Sequence, residues 1–191
     1  MKISLIIGSP RLKGNSATIA KNVADKLEKK GAVTTTFELN TLTYRGCQSC
    51  MGCKTTSEKC ILKDDLDPVL EDIKASDTII LATPVFVGEM TSQLKGLVDR
   101  FYSFYKNDFR TNPKPSRLAE GKKLIFVVSQ GSPDKSMFSD IIPRYSGLLS
   151  RLGFETIIPV RAIGVGPGSD VLKNESITAS INEAVEKVIA G

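Results

Sequence analysis

The sequence predicts a doubly wound α/β domain, a five-stranded parallel sheet of order 2-1-3-4-5 between two helical layers. Three observations predict it. Strand-like runs alternate with helix-like segments along the whole chain. Three of the five runs, Ile3–Ile7, Thr78–Thr83 and Leu124–Ser129, are almost continuously apolar, as strands covered on both faces are. The other two carry edge features: Val33, Thr35, Phe37 and Leu39 alternate with other residues, and Thr156–Val160 contains Pro159.

The elements follow in order. Ile3–Ile7 ends at Gly8. Ile19, Val23 and Leu27, flanked by Ala20 and Ala24, form one helical face, and Gly31 stops that helix. After the half-buried second strand, Pro68 is expected at the first position of a short helix carrying Val69, Leu70 and Ile73. Leu94, Leu97, Val98, Phe101 and Tyr105 give the third helix, with Asp99 and Arg100 expected as a surface pair. Ile141, Tyr145, Leu148, Leu149 and Leu152 give the fourth before Gly153, with Pro143 starting or kinking it. Ile177, Ile181, Ala184, Val185 and Val188 line the fifth. The segment 106–121 is expected as a lid or an interface arm.

At 191 residues the chain is expected to be one domain, 1–191, with a cysteine-rich insert at about 43–63. Its apolar runs are shorter than the ~20 residues a membrane helix needs, and Met1 leads directly into a strand, so a cytoplasmic protein is expected. The net charge is +5, but the basic residues are scattered and lack interleaved aromatics, which argues against nucleic acid. The absence of histidine excludes imidazole triads, histidine zinc sites and histidine-ligated haem.

Ligands of such sheets lie beyond the carboxyl ends of the central strands. The first of these loops, Gly8 to Ser16, contains Ser9, Arg11, Gly14, Asn15 and Ser16 and feeds a helix N-terminus. Free amides, hydroxyls and a guanidinium in one loop fit a phosphate. The loop lacks both the G-x-x-x-x-G-K-[ST] and the G-x-G-x-x-G patterns. Thr83 to Met90 is apolar and can lie against a flat ring, with Gly88 allowing close approach. Ser129-Gln130-Gly131 can add polar contacts.

These loops, with Leu94-Lys95 and Asp99-Arg100, resemble the NADPH-dependent FMN reductase group of flavodoxin-like proteins over roughly residues 2–135. Cys47-x2-Cys50-x2-Cys53-x6-Cys60 narrows the resemblance to its iron–sulfur flavoprotein branch. The resemblance implies a flavodoxin-like three-layer sandwich. It implies FMN phosphate on Ser9, Arg11, Asn15 and Ser16, with Gly14 and Ala17 in the same seat. It implies the flavin ring against Pro84, Val85, Phe86, Val87 and Gly88 and under Ser129, Gln130 and Gly131. Phe86 stands where such proteins often carry tyrosine, so a phenol hydroxyl is missing here.

Three thiols at x2 spacing with a fourth brought back suit a [4Fe–4S] cluster on Cys47, Cys50, Cys53 and Cys60, with Arg45, Lys54, Lys59 and Lys63 near its negative charge. Zinc, whose ligands more often come as two separated pairs, and redox-active or free thiols are the alternatives. The insert is expected at the same sheet end as the flavin. The family implies an electron-transfer protein taking electrons from a ferredoxin-like donor or NAD(P)H, reducing a small-molecule acceptor, and assembled as a homodimer or homotetramer. The second function is an NAD(P)H-dependent FMN or quinone reductase without a cluster. The third is a non-enzymatic zinc-bearing binding module.

Overall fold

The structure is a computed structural model that describes residues 1–190. The chain opens with β1 (Lys2–Ile7), α1 (Asn15–Glu28) and β2 (Val33–Glu38). The cysteine segment follows, with a one-turn α2 (Gly52–Thr55), then α3 (Leu66–Ala75) and β3 (Thr78–Phe86). Next come β4 (Glu89–Met90), α4 (Ser92–Arg100) and a 3-10 turn Phe101–Phe104. β5 (Lys122–Ser129), α5 (Ile141–Arg151), β6 (Phe154–Ala162) and α6 (Glu175–Ile189) complete the order.

The strands line up as β2-β1-β3-β5-β6, all parallel, which is the expected doubly wound order. Strand side chains alternate between the two faces of the sheet. Ile3, Leu5 and Ile7 accordingly pack with α1 and α6, whereas Ile6, Ile79 and Leu81 pack with α3, α4 and α5. β6 pairs on one side only, with β5, so the missing N–H of Pro159 leaves no ladder bond unmade.

Several elements differ in detail from expectation. β3 runs three residues further, through Pro84-Val85-Phe86, then turns at Val87-Gly88 into β4, so the second expected loop is a β-hairpin. Both turn residues have positive φ, +50° and +82°, as a type I′ hairpin demands. Glycine adopts that region freely, whereas the β-branched Val87 is strained there. Pro68 and Pro143 each stand third in their helices rather than first, still within the turn whose N–H groups have no intrahelical partner. Val33 is 69% exposed, so the alternation in β2 does not translate into burial at its start. The third helix ends at Arg100 and tightens into the 3-10 turn.

The segment 106–121 is no lid over the carboxyl ends of the strands. Lys106 N–H donates to Pro115 O at 2.8 Å and Arg117 N–H to Phe104 O at 2.7 Å, folding the segment back at the opposite end of the sheet.

Candidate cofactor sites

Two regions bring functional groups together. The first lies beyond the carboxyl ends of β1, β3 and β5. Gly8 N–H donates to Ala82 O at 2.8 Å, and Pro84 lies directly beside Ser129 in the β3–β5 register, so all three expected loops adjoin. Gly8 has no room for a side chain: a Cβ would stand 2.7 Å from Leu94 Cβ and 2.9 Å from Ala82 O. Thr91, fully buried, donates to Gly8 O at 2.7 Å and caps α4 by accepting from Leu94 N–H.

The Gly8–Ser16 loop curls tightly. Ser9 Oγ accepts from Arg11 N–H at 3.1 Å and donates to Arg11 O at 3.0 Å, while Gly14 N–H donates to the same carbonyl. A Cβ on Gly14 would stand 3.0 Å from that carbonyl and 3.1 Å from Ser9 Oγ. Gly14 caps α1 with no side-chain bond and the first turn holds no acid, so the amide N–H groups of Asn15, Ser16 and Ala17 are presented with the helix's positive end. Ser16 Oγ is buried with no hydrogen-bond partner among the described residues. A buried hydroxyl without a partner costs about 1–3 kcal/mol, and Ser16 Oγ, unlike the other such hydroxyl on Thr34, stands at a helix N-terminus among free amides. Arg11 is exposed at the rim.

Asn15 has a second use. Its side-chain amide donates to Val165 O at 3.0 Å and Gly166 O at 2.9 Å, tying the loop after β6 to the first loop. That loop is the glycine-rich stretch Gly164–Gly168, a neighbour of the site across 150 residues of sequence.

The hairpin that continues β3 stands beside these loops, with Phe86 42% exposed and Val87 fully exposed. Glu89 fastens it to α5: Arg144 Nη1 donates to Glu89 Oε2 at 2.8 Å. Burial pushes the Glu89 carboxyl up, but the bonds from Arg144, Met90 N–H and Tyr145 outweigh it and leave it below the usual carboxylate range. Burial, helped by the Glu89 charge, pushes the Tyr145 phenol up to about 12.

The second region is the cysteine segment. All four cysteines are free, and all line one cavity of about 590 Å³ between the segment, α4, the 3-10 turn and α5. Ser49 and Met51, on either side of Cys50, both have positive φ, +52° and +57°, so the chain curls sharply there. Among the described residues, no three His, Cys, Asp or Glu side chains converge closely enough to hold a single metal ion. A cubane spreads its four thiolates over four irons and does not require them to meet at one point.

The expected surface pair Asp99–Arg100 does not form. Asp99 binds Lys95, whereas Arg100 is 1% exposed and grips the cysteine segment. Arg100 donates to Asp64 Oδ2 at 2.9 Å, Arg45 O at 3.0 Å and Leu62 O at 3.3 Å, and its buried Nε has no partner. Burial alone would lower the Arg100 pKa, but Asp64 and the neighbouring Cys60 raise it above the usual value. Burial raises Asp64, and the bonds from Arg100 and the amides of Arg45 and Leu66 bring it below the usual range.

Two more cations lie beside the segment. Lys54 donates to Tyr102 O and Tyr105 O, both at 2.7 Å, and lies beside Cys53; burial and Arg117 lower its pKa. Arg117 donates to Cys53 O at 3.2 Å and Ser103 O at 3.0 Å. Of the four cations expected near the cysteines, Lys54 is partly buried there, while Arg45, Lys59 and Lys63 point to solvent. Arg100 has a signal in the sequence: Leu94, Leu97 and Arg100 share a three-residue spacing, which puts it on the apolar stripe. Arg117 has none.

The insert lies along α4. Gly46 packs on Gly96 at the middle of α4, and Cys53 and Cys60 lie by Ser103, past its C-terminus. The first region touches the N-terminus of α4 through Thr91 and Leu94. Cys53 and Cys60 therefore lie toward the C-terminal end of this nine-residue helix, while the cavity they share with Cys47 and Cys50 reaches Arg144, which holds the hairpin.

Comparison with known proteins bears on both regions. The family described as NADPH-dependent FMN reductase matches residues 1–139. An iron–sulfur flavoprotein of Methanocaldococcus jannaschii is 36% identical over 102 residues, covering 52% of this chain and 51% of the relative. The chain spans about half the length of this and a second iron–sulfur flavoprotein of that organism. An FMN-dependent NADH:quinone oxidoreductase of Mesorhizobium japonicum is 29% identical over 204 residues, covering 100% of this chain and 95% of the relative. The solved NAD(P)H:quinone oxidoreductase of Methanothermobacter marburgensis superposes with a TM-score of 0.74 at 17% identity, covering 98% of this chain and 96% of that one, a likeness of fold. No helix among the described residues is long and apolar enough to cross a membrane.

Proposed function

The chain belongs to the NADPH-dependent FMN reductase family, and on that premise we propose that it is an FMN-binding redox protein passing electrons between a protein donor such as a ferredoxin, a [4Fe–4S] cluster on Cys47, Cys50, Cys53 and Cys60, and FMN, with reduction of a small acceptor. The proposed setting is the cytoplasm, where thiols stay reduced, and the proposed assembly is a homodimer or homotetramer. FMN would supply one- and two-electron exchange and the cluster one-electron exchange; the chain supplies seats, charge and exclusion of water.

At the first seat, the amides of Asn15, Ser16 and Ala17, the orphan Ser16 hydroxyl and the rim cation Arg11 suit a phosphate dianion. Ser9 and Gly14 fix the curl of the loop so that these donors face one way. Pro84 to Gly88 and Ser129 to Gly131 border the neighbouring surface, where a ring attached to that phosphate would lie. At the second seat, the buried Arg100 and the partly buried Lys54 and Arg117 lie beside the cysteine segment, positive charge that suits an anionic centre.

The observation that carries the reading is that all four cysteines line one cavity together with Arg100. Iron and acid-labile sulfide measured on anaerobically purified protein, alongside flavin content, test it. About four of each per chain with one FMN is the expected result. Absence of both metal and sulfide after reconstitution sinks the cluster.

A second reading keeps the flavin and drops the cluster: an NAD(P)H-dependent FMN or quinone reductase with free thiols. The absence of any three thiols converging on a single-ion position favours it over a zinc site. Rapid flavin bleaching by NADPH, without a protein donor and in metal-free protein, is its expected sign.

A further inference from the structure

The loop after β5 is irregular in conformation yet heavily bonded. Gln130, 2% exposed, uses every polar group it has. Its N–H donates to Ala162 O at 2.9 Å and its carbonyl accepts from Val165 N–H at 3.0 Å. Its side-chain amide donates to Ser132 O at 3.1 Å and Asp134 O at 3.0 Å, and its Oε1 accepts from Arg161 Nε at 3.2 Å and Nη2 at 2.6 Å. Arg161, on β6, also donates to Lys135 O at 3.1 Å and Met137 O at 2.6 Å. One guanidinium thus fixes the loop from residue 130 to residue 137.

The next residue meets the opposite wall. Phe138 has φ +59°, and its ring Cε1 lies 3.6 Å from the position of a Cβ on Gly88, at the tip of the β3–β4 hairpin. Val165, bonded to Gln130, is in turn bonded to Asn15. The hairpin, the loop after β5 and the phosphate loop are therefore joined through Gln130.

We propose that Arg161, acting through Gln130, is a positioning residue for the flavin ring: it holds residues 131–138 at the distance from the hairpin that the ring requires. This rests on the FMN reading above. The geometry favours that role over general bracing, because its three acceptors, Gln130 Oε1, Lys135 O and Met137 O, all belong to the loop that borders the proposed ring surface. Lysine cannot reproduce the fork, so Arg161→Lys keeps the charge and loses the pattern.

The test titrates FMN and riboflavin into wild type, Arg161→Lys, Arg161→Met and Ser16→Ala, with visible circular dichroism of bound FMN as a report on the ring. Riboflavin has the ring without the phosphate. Arg161→Met is expected to weaken FMN about tenfold, and riboflavin by the same factor, and to alter the dichroism. Arg161→Lys is expected to do so to a smaller extent, and it serves alone if Arg161→Met does not fold. Ser16→Ala is expected to weaken FMN and spare riboflavin. Unchanged affinity and dichroism in Arg161→Lys, whatever its melting temperature, overturn the proposal. An effect of Arg161→Lys on FMN but not riboflavin overturns it too, because the fault then lies at the phosphate. Wild-type protein that takes up no FMN overturns the flavin reading itself and is told apart by the failure of the unmutated chain.

Discussion

The Gly8–Ser16 loop and the cysteine segment are built on different plans. Ser9–Gly14 takes its form from neighbours in sequence, a tight curl closed on Arg11 O between a strand end and a helix start, and distant residues hold only its flanks, Gly8 and Asn15. The cysteine segment contains one turn of helix and takes its form from residues far along the chain, Arg100, Tyr102, Tyr105 and Arg117. A site of the first kind tolerates loss of one contact with its geometry intact, whereas one of the second kind depends on a few cations, of which Arg100 is buried.

Substitutions should separate the two. The largest expected effect is that of Cys53→Ser, which should abolish iron and sulfide incorporation while FMN content is unchanged; metal analysis and flavin absorbance read both. Arg100→Leu should follow, at about 3 kcal/mol of lost stability by urea unfolding, because it strands Asp64 and two loop carbonyls in partly buried surroundings. Adding Asp64→Asn should restore part of that loss.

Ser16→Ala should weaken FMN about tenfold and also stabilise the flavin-free protein by about 1 kcal/mol, since the hydroxyl it removes is unbonded. Opposite signs in one variant would distinguish a ligand seat from a structural serine. Val87→Asn should stabilise by about 1 kcal/mol, or about 2–4 °C in Tm, by relieving the left-handed backbone at the hairpin tip.

The smallest effect concerns acid. The folded Glu89 carboxyl sits below its ordinary value, so the unfolded chain binds its proton first. Its contribution is complete above the ordinary carboxylate pKa of about 4.3 and is lost as pH falls through the lowered folded value. The protection of the Met90 amide from hydrogen exchange, relative to its intrinsic rate, should fall across that acid range, and Glu89→Gln should remove that loss of protection.

The same contrast decides what could be read from sequence. Strand order, the crossover helices and the three loops beyond the central strands were legible because each depends on local periodicity and punctuation. The spacing of Cys47, Cys50, Cys53 and Cys60 announced a site, but not its surroundings. Nothing near Gln130 indicates that Arg161 would occupy its side-chain amide oxygen, and nothing near Asn15 indicates Val165. Arg100 was misjudged because an arginine beside an aspartate suggests a surface pair, although its spacing from Leu97 placed it on the buried stripe. Hydrogen bonds between residues remote in sequence leave no periodic trace.

The α4 helix carries one further consequence. Its first turn locks under Gly8 through Thr91 and Leu94, and its last residue clasps the cysteine segment through Arg100. A helix turns about 100° per residue, so inserting or deleting a single residue would swing Arg100 away from Asp64 while Thr91 stayed in place. The exposed tip of the 106–121 segment, away from Pro115 and Arg117, can change length with little cost, as surface loops do. This helix cannot: its nine residues act as a gauge block whose length and phase are both constrained.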